Sequence, residues 1–210
     1  NAKDVVPVYI DLEKISLNPE NFSVEFVGSV LFYFLKKPLN EYKNFLLLEG
    51  LLKSQNQIPK NAFSFIKTIE NELLKIKPGQ KLLVETAFKF VDVLGKESGK
   101  KFLVALDNFE NLLDLNNFSQ IKDILSVINF EAEHARYIAA SSAIRESLAS
   151  LKNFECYEIK NLEKKEAIEL AESIIGKNNA SEEIWELSQG HPLIIILISK
   201  KYNEIKDVKK

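Results

Sequence analysis

The sequence predicts an α/β fold: a mostly parallel β-sheet covered by helices on both faces, followed by a small helical region. Short, largely apolar runs of the kind that form buried parallel strands occur at Val5–Leu12, Phe102–Leu106 and Tyr137–Ala140. Amphipathic stretches with helical spacing separate these runs, and such alternation is typical of a sheet between two helical layers. The strand-like runs stop before residue 161, which predicts an α/β core over 1–160 and a helical domain over 161–210.

The composition excludes several classes of protein. The net charge of −2 over 210 residues gives no general basic field for nucleic acid. With Cys156 as the single cysteine and two histidines, the chain has no disulfide framework and no thiolate or histidine metal cluster. The longest apolar run, Leu193–Ile198, is far shorter than the ~20 residues of a membrane helix. We therefore expect a cytoplasmic protein that does not enter a membrane.

The first half of the chain is predicted to contain one strand and four helices. Val5–Leu12 is an apolar run that closes on an acidic residue, as a buried strand does at the edge of a sheet. Pro38 and the turn at 77–79 end two of the helices, and Gly95 is a natural cap for another. The predicted helices are Asn21–Leu35, Glu41–Lys53, Ala62–Ile76 and Lys81–Leu94.

The second half is predicted to contain three further strands and five helices. Phe102–Leu106 and Tyr137–Ala140 are continuous apolar runs, whereas Phe154–Ile159 alternates apolar and polar residues, as an edge strand does. The predicted helices are Leu112–Ile128, Ala143–Leu151, Glu163–Ile175, Ser181–Ser188 and a last helix that ends at Tyr202.

The segment 95–101, with sequence GKESGKK, is similar to a phosphate-binding loop but does not fit that motif. A phosphate loop has four residues between its glycines and a Ser or Thr after its lysine; this segment has three, and Lys101 follows the lysine. A phosphate loop also leaves a strand and enters a helix, whereas this segment leaves a helix and enters a strand. We interpret it as a solvated helix-to-strand connection, and the other five glycines stand alone.

Asp107 stands at the carboxyl end of a buried strand, where open α/β sheets bind their ligands. A strand-end carboxylate suits Mg²⁺, although a strand-end aspartate often does no more than cap a helix. Three neighbouring features favour a ligand site, and the third is Arg145 together with Gly190–Pro192 further along the chain. Glu110 follows three residues later, near enough to orient a water, and the next buried strand ends in Ser141 and Ser142 at the same edge.

Five segments resemble the AAA+-related STAND ATPases, and the best match is the predominantly archaeal ATPase family within that group. Phe102–Leu113 resembles the second acidic nucleotide motif, and Tyr137–Arg145 resembles the sensor-1 strand and the turn after it. Tyr157–Leu170 is similar to the start of the helical lid, and Leu187–Leu193 to the lid's GxP motif. Val5–Leu12 resembles the second strand of that fold. The resemblance covers nearly the whole chain, with its motifs in the family's order.

The resemblance implies a P-loop NTPase-like, three-layer fold with a small C-terminal helical lid, and it implies ATP or ADP and Mg²⁺ as ligands. Asp107 would bind the magnesium ion, and Glu110 would orient the attacking water. Asn108 stands where the family more often has a glutamate, and an asparagine cannot accept a proton. The remaining implied contacts are Ser141, Ser142 and Arg145 with the γ-phosphate, and Gly190, His191 and Pro192 with the base.

The implied function is an ATP-binding molecular switch that hydrolyses ATP only with a phosphate loop. In the family that loop and the first strand precede the segment equivalent to Val5–Leu12, so we expect the natural protein to continue upstream of Asn1. Two alternatives stay open: a non-catalytic interaction scaffold derived from such an ATPase, or part of a DNA-associated ATPase. We also expect a protein partner or self-association, whereas these residues do not support nucleic-acid binding.

Overall fold

A computed structural model describes residues 4–117, 119–142 and 154–205. The chain divides into two compact units, Asn1–Phe154 and Glu155–Lys210. The first unit contains the sheet, and the second is helical in its regular structure.

The sheet has three parallel strands in the order β1 (Val5–Asp11), β2 (Lys101–Asp107) and β3 (Ala135–Ala139). The prediction of a mixed α/β fold with a parallel sheet is confirmed, and each apolar run contributes to a strand. In the β1–β2 register, Asp11 lies opposite Asp107. Both aspartates therefore reach the same carboxyl edge of the sheet.

Five helices and one 3₁₀ turn connect β1 to β2. The first helix begins at a proline, and the side chain of Asn18 caps it by accepting the N–H of Asn21 at 2.8 Å. The predicted single helix over 41–53 is wrong, because Leu47 has an extended backbone and interrupts it. The elements are α1 (Pro19–Phe34), a 3₁₀ turn (Leu39–Glu41), α2 (Tyr42–Phe45), α3 (Leu48–Leu52), α4 (Lys60–Leu73) and α5 (Gln80–Ser98).

Helix α5 continues four residues past the predicted end, and Gly99 caps it in the left-handed conformation at φ 66°. The predicted cap at Gly95 is wrong, because Gly95 lies inside the helix. A side chain at Gly95 would bring its Cβ within 2.6 Å of the His134 Cβ, so glycine allows α5 to pack closely against the chain entering β3. The segment 95–101 is thus the end of a helix and the start of a strand, which confirms that it is a helix-to-strand connection.

The predicted helix Leu112–Ile128 is wrong in length, since α6 (Asn111–Asp114) has only four residues. Polar side chains bind the backbone N–H groups that a longer helix would use. Asn116 accepts the N–H of Ile124 at 2.8 Å, and Asp123 accepts that of Leu125 at 3.1 Å. Such local bonds compete with helix formation, so turns replace the expected helix.

The predicted edge strand Phe154–Ile159 is also absent, since residues 154–160 have no regular secondary structure. Tyr157 and Ile159 in this segment are exposed. The predicted helix Ala143–Leu151 lies outside the described residues.

The described part of the second unit, residues 155–205, contains three helices, as the sequence predicts for this region. A capping box starts the first of them: Glu163 and Glu166 each accept a hydrogen bond from the other's backbone N–H. A small core of Ala167, Ala171, Ile184 and Ile195 holds the helices together. The helices are α7 (Lys164–Ile175), α8 (Ala180–Ser188) and α9 (Pro192–Ile205).

The two faces of the sheet differ. Alternate strand residues such as Val8, Ile10 and Val104 are buried beneath α1 and α5, and we call this side the inner face. The other side, the outer face, carries exposed apolar side chains. None of the helices described in residues 4–117 and 119–142 covers it, so the prediction of helices on both faces is wrong for these residues. The apolar residues of the outer face are Val5, Pro7, Tyr9, Leu103, Ala105 and Ile138, and the charged residues Asp11, Lys101, Asp107 and Arg136 share their alternation.

Candidate functional site

Three strand ends place polar side chains at the carboxyl edge of the sheet. β1 ends at Asp11, β2 at Asp107, and the chain leaves β3 through Ser141 and Ser142. Parallel strands end at one edge, so these residues meet although they lie far apart in sequence. The geometry divides them into two hydrogen-bonded groups.

Asp107 belongs to the first group. Its Oδ2 accepts a 2.7 Å hydrogen bond from the Tyr9 hydroxyl, and its Oδ1 accepts the backbone N–H of Asn108 at 3.0 Å. The hydrogen bond to Asp107 raises the pKa of Tyr9. The two hydrogen bonds fix the direction of the Asp107 carboxylate, and the residue is only half-buried, so part of it faces solvent.

Asp11 belongs to the same group, and the sequence alone did not single it out. Lys14 lies 2.7 Å from its Oδ2, and the Asn108 amide donates to its Oδ1 at 2.8 Å. The hydrogen bond from Lys14, helped by that from Asn108, lowers the pKa of Asp11. The signal that could have revealed it is the shared pattern of β1 and β2, since both strands are apolar runs that end in aspartate.

Asn108 connects the two aspartates. It has a left-handed backbone, with φ 52°, a conformation that asparagine adopts more readily than most residues. This turn directs its amide toward Asp11 and its N–H toward Asp107. The residue that stands where the resembled family more often has a glutamate therefore has a structural role here.

Glu110 forms the second group with the two serines. Its Oε2 accepts the Ser141 hydroxyl at 2.6 Å and its Oε1 the Ser142 hydroxyl at 2.7 Å, with the Ser142 N–H at 3.4 Å. Glu110 is only 8% exposed. Burial alone would raise its pKa, but the hydrogen bonds from Ser141 and Ser142 outweigh burial and hold the pKa below its usual range.

The backbone brings Glu110 to the exit of β3. The Phe109 N–H donates to the Ala140 carbonyl at 2.9 Å, and the Ala140 N–H donates to the Leu106 carbonyl at the same distance. Phe109 is buried, which fixes the turn between Asp107 and Glu110. The structure places Glu110, Ser141 and Ser142 at the edge of the sheet that the sequence indicates and joins them by hydrogen bonds that the sequence did not predict. Arg145 lies outside the described residues.

Gly190, His191 and Pro192 lie in the second unit, between α8 and α9. Gly190 has φ 77°, and a Cβ there would lie 2.2 Å from the Leu162 carbonyl oxygen. The Leu162 N–H donates to the Gly190 carbonyl at 2.9 Å, so this glycine joins the segment before α7 to the α8–α9 turn. His191 and Pro192 are exposed where α9 begins.

The chain's glycines have packing or capping roles rather than a role in a phosphate cradle. Backbone atoms of Phe45 and Asn44 lie where a Cβ on Gly28 or on Gly50 would stand, at 1.8 and 1.9 Å. Gly99 is a helix cap. Within the described residues, no group of three or more His, Cys, Asp or Glu side chains is arranged to hold a metal ion.

Comparison with protein-family models, with curated proteins and with solved structures finds no match to this chain. Across residues 4–117, 119–142 and 154–205, no helix combines the length and the apolar character needed to cross a membrane.

Proposed function

We propose that the chain is an ATP-binding molecular switch of the STAND or AAA+ type, with Mg²⁺ and the γ-phosphate bound at the carboxyl edge of the sheet. The observation that carries the proposal is the pair of hydrogen-bonded groups at adjacent strand ends, Asp107 in one and Glu110 with Ser141 and Ser142 in the other. Open α/β sheets bind ligands at this edge.

Asp107 is the residue proposed to bind the magnesium ion. Mg²⁺ is commonly held by one or two carboxylates while it keeps several waters, so a single fixed aspartate fits its chemistry. Each Asp107 oxygen accepts one hydrogen bond in the described structure, and a carboxylate oxygen has a second lone pair. When bound, the ion would neutralise phosphate charge; the protein's part is to hold the carboxylate in place.

The switch is proposed to act through Ser141 and Ser142. Glu110 now accepts both hydroxyl hydrogen bonds, and a γ-phosphate would need the same donors. Phosphate and Glu110 would therefore compete, and phosphate binding would release the Glu110 carboxylate to orient a water. The contacts of Arg145 with the γ-phosphate and of Gly190, His191 and Pro192 with the base stay predictions from the resemblance.

The proposal requires a phosphate-binding loop, and the described residues contain no glycine-rich loop that leaves a strand and enters a helix. The test is the melting temperature of the natural full-length protein with 10 mM Mg-ATP, compared with ATP in excess EDTA. If the ligand is at about ten times its Kd, we expect a rise of a few degrees.

The rise should disappear in Asp107→Asn and persist in the control Glu97→Gln, an exposed carboxylate on α5. If Mg-ATP produces no shift in the unmodified protein, the proposal is wrong.

A non-catalytic interaction scaffold is the second candidate. Asn108 favours it, because its amide is committed to Asp11 and cannot accept a proton from water. ATP turnover that is lost in Asp107→Ala would exclude this candidate.

A further inference from the structure

The chain that leaves the first unit is fastened to that unit by a cluster of aromatic rings. Phe154 is the last residue of the first unit, and its ring centroid lies 5.0 Å from that of Phe130 and 6.1 Å from that of Phe109. The Phe109 and Phe130 centroids are 6.1 Å apart, so the three rings form one cluster. Aromatic rings at these distances attract each other beyond the burial of their surface, so Phe154 anchors the chain that follows it.

The other end of this connecting chain is fastened to the turn between α8 and α9. The Leu162 N–H donates to the Gly190 carbonyl at 2.9 Å, and the Asn161 side-chain amide donates to the Gln189 carbonyl at the same distance. Residues 155–160, which we call the linker, have no regular secondary structure and are all exposed. Both ends of the linker are therefore held, while its middle belongs to no helix or strand.

The anchor of the linker adjoins the proposed phosphate site. Phe109, which contacts Phe154, is followed directly by Glu110, which accepts the hydroxyl hydrogen bonds of Ser141 and Ser142. Phe109 is 2% exposed and Glu110 is 8% exposed. Closely packed side chains move only when their neighbours repack, so we expect release of the Glu110 carboxylate to disturb the packing of the Phe109 ring.

We propose that Phe154 couples the linker to the state of Glu110. While Glu110 is bonded to the two serines, Phe154 stays on Phe109 and the linker is held. When Glu110 is released, the anchor weakens and the linker gains freedom at its first end. The two states differ in the contacts of one turn, which supplies the differential interaction that a switch requires. This inference names a regulation of the proposed nucleotide site, and it rests on the proposed function for the event that releases Glu110.

Cys156 provides a reporter inside the linker. It is the single cysteine of the 210 residues, and it is exposed two positions after Phe154. A nitroxide attached to its sulfur gives, in electron paramagnetic resonance, the ratio of mobile to immobilised label. The first measurement uses the 210-residue chain without nucleotide, so it does not depend on ATP binding.

Two variants weaken the proposed coupling at different points, and each has a matched control. Phe154→Leu removes a ring from the cluster, and its control is Phe63→Leu, since Phe63 is a partly buried phenylalanine on α4. Glu110→Gln replaces a carboxylate that accepts both hydroxyls by an amide with one acceptor oxygen. Its control is Glu97→Gln, at an exposed carboxylate on α5.

We expect Phe154→Leu and Glu110→Gln each to raise the mobile-to-immobile ratio by about fivefold, which corresponds to the loss of one ordinary contact. Both substitutions act on the same anchor, so the double variant should differ little from either single variant. The two controls should leave the ratio unchanged. A purely structural role of Glu110 would not change the label 46 positions away or make the two effects non-additive.

The second measurement adds 10 mM Mg-ATP to the natural full-length protein labelled at Cys156. Where Mg-ATP raises the melting temperature, it should also raise the mobile-to-immobile ratio of the unmodified protein. It should leave the ratio unchanged in Phe154→Leu, because the anchor is already lost in that variant.

Three results would overturn the inference: an unchanged ratio in Glu110→Gln, additive effects of the two substitutions, or bound Mg-ATP that leaves the ratio unchanged. The last result would not affect the proposed function, because the melting temperature would already have shown binding. A missing melting shift would instead reject the proposed function, and the nucleotide-free measurement would still decide the coupling. Circular dichroism melting of each labelled variant confirms that it is folded, and if Phe154→Leu does not fold, the ratio in Glu110→Gln decides alone.

Discussion

The inner and outer faces of the sheet both carry large apolar side chains, but the surroundings of those side chains are very different. Leu106 and Leu103 lie on the same strand, yet Leu106 is 1% exposed and Leu103 is 38% exposed. Both α1 and α5 pack on the inner side, whereas charged residues such as Lys101 and Arg136 occur only at outer-face positions of β2 and β3. An apolar residue in a strand therefore indicates that its face can be buried. It does not show that α1 or α5 covers that face.

The two carboxylates at the carboxyl edge of the sheet, Asp107 and Glu110, also differ in exposure. Asp107 follows the outer-face alternation of β2 and is half-buried, whereas Glu110 is buried and accepts both serine hydroxyls. An accessible carboxylate suits ligand binding, and a buried hydrogen-bonded one suits the stability of the turn. The following predictions test these two contrasts in order of expected effect.

The largest effect is expected from truncating the two leucines of β2. Leu106→Ala should lower the free energy of unfolding by about 3 kcal/mol, because it removes buried methyl groups and leaves a cavity. Leu103→Ala should cost less than about 1 kcal/mol, since its side chain is already partly in water. Urea unfolding of the whole chain measures both, and equal losses would show that the outer face is covered in solution.

Glu110 provides the next contrast. Glu110→Ala should lower the free energy of unfolding by about 2 kcal/mol, because the hydroxyls of Ser141 and Ser142 lose their hydrogen bonds to the charged Glu110 carboxylate. Asp107→Ala should cost less, since solvent reaches the groups that it leaves unpaired. A larger loss at Asp107 would show that the carboxylate on the outer face, rather than Glu110, stabilises the edge.

The pH dependence of stability sharpens the same contrast. Serine hydrogen bonds hold the pKa of Glu110 below its usual range despite burial, so its contribution is fully present above its unfolded-state pKa. That contribution is lost as the pH falls through the folded-state pKa. Between pH 6 and pH 3 the unmodified chain should therefore lose more stability than Glu110→Gln, and parallel urea midpoints would contradict this.

The sequence predicts those features of the fold and the site that depend only on neighbouring residues. The apolar runs at Val5–Leu12 and Phe102–Leu106 indicate buried strands whatever follows them, and Asp107 stands at a strand end by sequence alone. The position of Ser141 and Ser142 at the same edge as Asp107 also followed, because neighbouring parallel strands end together, but their hydrogen bonds to Glu110 did not.

Features that depend on contacts distant in sequence were not predictable. Asp11 reaches the site only because the β1–β2 register places it opposite Asp107. The outer face is exposed because α1 and α5 both pack on the inner side of the sheet. The residues after α6 have helical periodicity, but Asn116 and Asp123 bind the backbone instead. Which of two compatible hydrogen-bonding patterns forms depends on tertiary packing.

The smallest effect is expected at Asn108, which lies in the turn between the half-buried Asp107 and the buried Glu110. Asn108→Gly keeps the left-handed backbone and loses only the amide bond to Asp11, whereas Asn108→Ala also forces an alanine to φ 52°. The alanine variant should be less stable than the glycine variant by about 1 kcal/mol in urea unfolding. If both variants lose the same amount, the hydrogen bond to Asp11 dominates and backbone conformation does not. A difference in the expected direction would mean that position 108 holds an asparagine because the turn requires a left-handed backbone. The turn would then explain why this position lacks a side chain that can accept a proton.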